Sequence, residues 1–236
     1  MKFFLENGSL AIEIESKGAE LQRLYHNQTE IEHLWSGDAA YWGKYSPVLF
    51  PVVGTLKDKT YLYRGNKYHL PRHGFAREKD FSVTHQTKDQ ITLALHPDEN
   101  TRQVYPFQFS LELSYRLHHN SMFCSYTVKN MGEEAMPFSL GAHPAFAVPF
   151  LPDTAYEDYF LEFEEDNLLT RWKLSSNGLI SSQTENIILQ CNRLPLNAKL
   201  FEEDAIVLKG MKSTKLRLAC TKSEHGFDFR FQSFPF

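Results

Sequence analysis

The stretch Leu70–Phe81, LPRHGFAREKDF, sets His73 between Arg72 and Arg77, with Gly74 directly after the imidazole and Leu70, Phe75 and Phe81 framing the group. Charges interleaved with aromatics are not the pattern of a solvated face. A glycine beside the ring lets a ligand or another backbone approach closely. Arg77 offers five donors in a fixed fork, suited to sugar hydroxyls, a ring oxygen or a phosphate, and Arg72 beside it would also welcome a phosphate. A second histidine, His143, stands in SLGAHPAFAVP among small and apolar residues, with Pro144 immediately after it. Proline biases the preceding residue toward an extended conformation. A rigid imidazole in an apolar frame suits proton transfer; a core histidine bonded to a backbone carbonyl is the competing reading. In LFEEDAIVLKG, Glu202 and Glu203 read as a solvated turn. Asp204 adjoins an apolar run and is the candidate for an inward-facing carboxylate. Histidine, carboxylate and arginine without metal-ligand spacing form a general acid–base set, and no metal is expected. The chain has no HExxH, P-loop, GxGxxG or GxSxG motif.

The elements that must hold these residues are strands. Alternation with a period of two dominates: SLAIEIES puts Leu10, Ile12 and Ile14 on one face, and DQITLALH, FQFSLELSYRLHH and MFCSYTVKN follow the same rule up to the NMGEE turn. IILQ, AIVLKG, TKLRLAC and FDFRFQSF continue it. SPVLFPVVGTLKD reads as a buried strand closed by a turn at Gly54. GDAAYWGKYS is expected to hold one short helix. In DTAYEDYFLEFEED the alternation of Tyr159, Leu161 and Phe163 favours a strand. No repeat, low-complexity tract or linker interrupts residues 1–236, so a single all-β domain of about 20 strands in two packed antiparallel sheets is expected.

The totals exclude several classes of function. A net charge of −4 gives no electrostatic grip on nucleic acid or anionic lipid. The longest apolar runs are too short for a membrane span or a signal-peptide core. Three cysteines without a CxxC pair, Cys124, Cys191 and Cys220, fit reduced thiols in a cytoplasmic protein rather than a disulfide framework.

FPVVGTLKD, YHLPRHGFAR, YPFQF and MPFSLGAHPAFAVP, in this order and spacing, resemble the aldose 1-epimerase (galactose mutarotase-like) family, in particular its LacX-like bacterial branch. The resemblance runs from the N-terminus to the last residues. It implies a β-supersandwich and an isomerase that interconverts the α and β anomers of an aldose by general acid–base ring opening, without a cofactor. The partner it implies is a small sugar, and Arg72 and Arg77 extend the expectation to a sugar phosphate. By motif, His143 matches the general acid and His73 the second active-site histidine, which binds the sugar. Asp204 matches a sugar-binding aspartate placed just before an apolar strand, and Arg77 a substrate contact of this branch. Two departures accompany the match. Some relatives carry a sugar-contacting arginine near the position of Thr55. The catalytic base should be a glutamate on a strand beyond residue 236, so the resemblance implies a domain lacking its C-terminal strands. An unpaired terminal edge would invite a homodimer. The rival to an enzyme is a carbohydrate-binding protein on the same fold that performs no turnover.

Overall fold

The computed structural model describes residues 1–231; Gln232–Phe236, the end of the terminal FDFRFQSF run and the closing Phe-Pro-Phe, lie outside the described residues. Nineteen strands are found among the described residues, arranged in two compact units, Met1–Ala147 and Val148–Phe236.

In the first unit, β1 (Lys2–Glu6), β2 (Leu10–Glu15), β3 (Glu20–His26) and β4 (Ile31–Glu32) form an antiparallel meander. The alternation of β2 is the reason: Leu10, Ile12 and Ile14 are buried, while Ala11, Glu13 and Glu15 stay partly exposed. After β5 (Val48–Leu49), a hairpin of β6 (Thr60–Tyr63) and β7 (Asn66–His69) leads to β8 (Ser82–Gln86) and β9 (Gln90–Leu95). A single α-helix, α1 (Glu99–Val104), follows. Asp98 caps it: its carboxylate accepts from Thr101 N–H at 2.6 Å, and the Thr101 hydroxyl accepts from Asp98 N–H at 2.8 Å. Then come β10 (Phe109–His118), β11 (Ser121–Asn130) and β12 (Gly141–Ala142). The second four-stranded sheet has the order β11-β10-β9-β8. Its inward residues Ile91, Leu93, Leu111, Leu113 and Tyr115 share one core cluster with Ile12, Ile14 and Leu21 of the meander. Tyr115, fully buried, spends its hydroxyl on Ala19 C=O at 2.8 Å, so this donor is not orphaned in the core.

The second unit holds β13 (Tyr159–Phe163), β14 (Leu168–Leu174), β15 (Ile180–Ile188), β16 (Arg193–Pro195), β17 (Val207–Leu208), β18 (Lys215–Cys220) and β19 (Gly226–Arg230). They form the sheets β16-β13-β18-β19 and β15-β14-β17. Phe163, Leu169, Leu189 and Leu194 centre its core. Tyr159–Phe163 is a strand, as its alternation predicts. The expected helix in GDAAYWGKYS is not formed. Residues 39–41 make one turn, in which Asp38 C=O accepts from Tyr41 N–H at 3.0 Å and Trp42 N–H at 2.8 Å, and the Asp38 carboxylate takes Ala40 N–H at 2.9 Å. An aspartate that binds the backbone two residues on competes with helix growth, and Gly37 and Gly43 flank the turn.

Among the described residues no helix is long and apolar enough to cross a membrane, and no group of three or more His, Cys, Asp or Glu could hold a metal ion. The three cysteines are free thiols: Cys220 is buried, Cys124 partly buried and Cys191 exposed.

Candidate active site

The SPVLFPVVGTLKD segment is the frame on which both histidines hang. Its start is fixed by Glu20, a buried carboxylate that accepts Tyr45 N–H at 2.8 Å and Ser46 N–H at 3.1 Å. From there β5 pairs with β12, Val48 opposite Ala142 and Leu49 opposite Gly141. The pairing runs on past the strand: His143 N–H donates to Pro47 C=O at 3.2 Å and Ala145 N–H to Tyr45 C=O at 2.8 Å. Pro144 lies between these two donors, so its missing N–H interrupts neither bond. The His143 backbone is thereby pinned, and its imidazole is left on the exposed side of the segment.

Phe50 holds the other histidine. Its side chain is fully buried against Phe75, Tyr105, Phe109 and Phe138. Its carbonyl accepts from Phe75 N–H at 3.0 Å and Ala76 N–H at 3.2 Å, and Phe50 bridges Gly74 in parallel. The close backbone approach expected at Gly74 is therefore made by Phe50 and Pro51. A Cβ on Gly74 would lie 2.2 Å from Phe50 O. His73 itself takes the left-handed conformation, φ 68°, which is strained for a residue with a side chain. Gly54 holds it there from both sides: His73 N–H donates to Gly54 C=O at 2.9 Å, and Gly54 N–H donates to His73 Nδ1 at 3.1 Å.

That last bond fixes the tautomer. With Nδ1 accepting, the proton of the neutral ring sits on Nε2. Arg72 Nε–H is aimed at the same Nε2 from 3.3 Å. With Nδ1 the acceptor, Nε2 cannot also accept, so this Arg72 N–H is left for an acceptor oxygen of a ligand. Arg77 joins them: its Nη2 donates to Arg72 C=O at 3.2 Å, and its Nε is buried without a hydrogen-bond partner, Glu78 Oε1 lying 3.9 Å away. Glu78 is engaged by Lys17 at 2.8 Å and Lys44 at 3.0 Å.

The rings of His73 and His143 come together, their centroids 5.9 Å apart at an interplanar angle of 53°. Burial, then Arg72, Arg77 and His143, pushes the His73 pKa down to about 4. Burial, then Arg77 and Arg72, also lowers that of His143 below its ordinary 6.5. Both imidazoles are therefore neutral at pH 7 in the free protein. The shift at His73 links folding to pH. Between about 6.5 and about 4 the unfolded chain binds a proton that folded His73 refuses, so stability falls as pH falls through that window and levels off below it. By pH 4.5 this amounts to about 2–3 kcal/mol. His73→Asn, which tolerates the left-handed conformation, is expected to lose less stability than the parent between pH 7 and 4.5. Urea midpoints at the two pH values check this, and equal losses would refute it.

Four of the five residues singled out in the sequence, Arg72, His73, Arg77 and His143, thus lie together in the first unit. Asp204 belongs to the second. It is exposed rather than inward-facing, sits at φ 69°, and folds its carboxylate onto Ala205 N–H at 2.7 Å. The cause is local: a left-handed aspartate in a turn finds its own backbone first. The buried Arg171 supports that turn from below, its Nη2 donating to the carbonyls of Glu203 at 3.2 Å and Asp204 at 3.4 Å. The second unit also has a polar recess of about 400 Å³ lined by Glu162, Glu164, Lys215, Arg217 and Asp228. Its charges are all paired, Lys215 with Glu164 at 3.4 Å, Arg217 with Asp228 at 3.1 Å, and Glu162 with Arg193 outside the recess at 2.7 Å.

The profile of the family described as Aldose 1-epimerase matches residues 1–229. The chain belongs to the aldose 1-epimerase family. Among its relatives, the plasmid-encoded protein LacX of Lactococcus lactis subsp. lactis is 31% identical over 243 residues, covering 100% of this chain and 81% of LacX. A galactose mutarotase related enzyme from Lactobacillus acidophilus superposes with a TM-score of 0.91 at 33% identity, over 97% of this chain and 76% of that one. A galactose mutarotase-like protein from Lactobacillus casei ATCC 334 gives 0.92 at 31%, over 100% and 81%. These likenesses establish the mostly-β, galactose mutarotase-like fold.

Two contributors to the histidine pair escaped the sequence reading. Gly54 holds His73 from nineteen positions upstream, through backbone atoms that no residue pattern reveals. Trp42 packs against His143, ring centroids 5.0 Å apart at 45°. Its clue was the turn chemistry of Asp38 between Gly37 and Gly43, which sequence reading took for a helix.

Proposed function

We propose that this member of the aldose 1-epimerase family is a mutarotase, interconverting the α and β anomers of an aldohexose or a hexose phosphate. The observation that supports this is the His73–His143 pair, set 5.9 Å apart beside two arginines at the positions of the family's motifs. In this reading the His143 imidazolium gives its proton to the ring oxygen while a carboxylate takes the proton of the anomeric hydroxyl. The bond between C1 and the ring oxygen breaks, and C1 becomes an aldehyde. Rotation about C1–C2 presents its other face, and closure returns both protons. Neutral His73 donates its Nε2–H to a sugar hydroxyl. Asp204, by motif alone, is assigned a hydroxyl contact.

The arginines favour the phosphorylated substrate. Burial, then Arg77 and Arg72, lowers the His143 pKa when the site is free. A phosphate between the arginines would offset their part of that shift and favour the imidazolium that must donate. Anomer exchange by NMR, with glucose, galactose and their 6-phosphates, tests the reading: exchange faster than the buffer rate is expected, with a lower KM for a phosphate. Arg77→Gln and Asp204→Asn are expected to raise KM. No acceleration with any of these sugars would overturn the reading. The neutral imidazoles also suit a second function, a carbohydrate-binding protein without turnover. Saturable binding with exchange at the buffer rate would establish it.

A further inference from the structure

Trp42 is a large aromatic side chain that the hydrophobic core does not use. It is absent from the cluster that joins the two sheets of the first unit, and it remains partly exposed. Yet its backbone is anchored on both sides: Trp42 N–H donates to Asp38 C=O at 2.8 Å, and its own carbonyl accepts Trp35 Nε1–H at 2.9 Å. Gly43 follows with no side chain to cover it, and Lys44 beyond is held by Glu78. The backbone that carries the indole is thus held, and the ring has His143 as its aromatic neighbour at 5.0 Å.

A half-exposed tryptophan offers a broad apolar face with little rotamer freedom to lose on binding. The pyranose ring has a matching surface: its axial hydrogens form an apolar patch, while its hydroxyls point outward from the ring edge. The donors for those hydroxyls, His73, Arg72 and Arg77, lie beyond His143 from Trp42 in the chain of contacts Trp42–His143–His73–Arg72–Arg77.

We infer that Trp42 is a substrate-binding residue, the platform on which the apolar face of the sugar stacks while its oxygens meet the histidines and arginines. This rests on the sugar-binding function proposed above and adds to it the residue that reads the sugar's C–H face. The platform discriminates by shape: a sugar whose stacked face carries an axial hydroxyl would bind less well than its epimer with that face clear.

The chain has three tryptophans, Trp35, Trp42 and Trp172, and this makes the inference measurable without turnover. Titration with glucose and with galactose, each also as the 6-phosphate, is expected to change the fluorescence of the parent and of Trp172→Phe. In Trp42→Phe the change should be absent or much reduced. In anomer exchange, Trp42→Ala is expected to raise KM about 2- to 10-fold, the worth of one aromatic contact, with kcat nearly unchanged. A tryptophan that merely props His143 would instead lower kcat and leave the fluorescence response in place. Should the variants fail to fold, oxidation of the parent by N-bromosuccinimide serves: the sugar should shield Trp42 and leave Trp172 as reactive as before. A sugar response that persists in Trp42→Phe, or no shielding of Trp42 by a sugar that binds, overturns the inference while the mutarotase reading stands. A parent that neither binds nor turns over any of the sugars overturns both.

Discussion

Replacing His143 by alanine is expected to slow anomer exchange by about 10²–10⁴-fold, the usual loss when one general acid is removed. The loss should fall on kcat, because the proton transfer belongs to the transition state while the sugar's other contacts remain. The fold should survive. What pins this segment is backbone: the pairing of β5 with β12, and the N–H groups of His143 and Ala145 on the carbonyls of Pro47 and Tyr45. None of these needs the imidazole. His143 is no part of the core cluster, so removing its side chain opens no cavity in the core. The pH profile gives a second readout. With its pKa held below 6.5 by burial, Arg77 and Arg72, His143 is protonated in only a minor fraction at neutral pH, and turnover limited by the acid should rise as pH falls toward that pKa. Arg77→Gln removes one of the two cations and should move this limb to higher pH. Polarimetry on the purified variants measures both effects. A His143→Ala variant that exchanges anomers at the parent rate would remove this residue from the chemistry.

The candidate site residues stand out in the sequence because they break a pattern. Against strict alternation, RHGFAR and GAHPAF stand out, and the structure sets their histidines side by side. The strands were legible for the complementary reason: in β2, β10 and β11 one face packs and the other does not, so the period of two is written in the residue types. What the sequence concealed is carried by backbone atoms or by single turns. Gly54 binds His73 through its N–H and C=O, which every residue but proline possesses. The Asp38 turn was hidden by good helix formers, two alanines, whose preference of a few tenths of a kcal/mol per residue yields to a carboxylate that bonds its own backbone. Asp204 shows the opposite error. Its place before an apolar strand suggested an inward carboxylate, but a left-handed backbone turned it onto Ala205.

Gly74→Ala is expected to be the most damaging small substitution in the first unit, lowering stability by about 2–5 kcal/mol and sugar turnover with it. Two costs combine. At φ 70° an L-residue pays about 1–2 kcal/mol for the left-handed conformation. The new methyl would also lie 2.2 Å from Phe50 O, 2.5 Å from Phe50 C and 2.7 Å from Pro51 N. These are backbone atoms of a residue whose ring is locked among Phe75, Tyr105, Phe109 and Phe138, so they cannot yield as a flexible side chain would. Overpacking of this kind adds about 1–3 kcal/mol. Relief requires the 73–74 turn to lift from Phe50. That movement would pull His73 off Gly54, releasing both the bond that sets its backbone and the one that sets its tautomer. Gly54→Ala is the control, because its φ of 77° is similar but no atom lies within 4 Å of the added methyl. It should therefore lose only the conformational part, about 1–2 kcal/mol. Urea unfolding of the two variants separates steric contact from backbone preference, and equal losses would mean that Phe50 and Gly74 are not held as closely as their bridge requires.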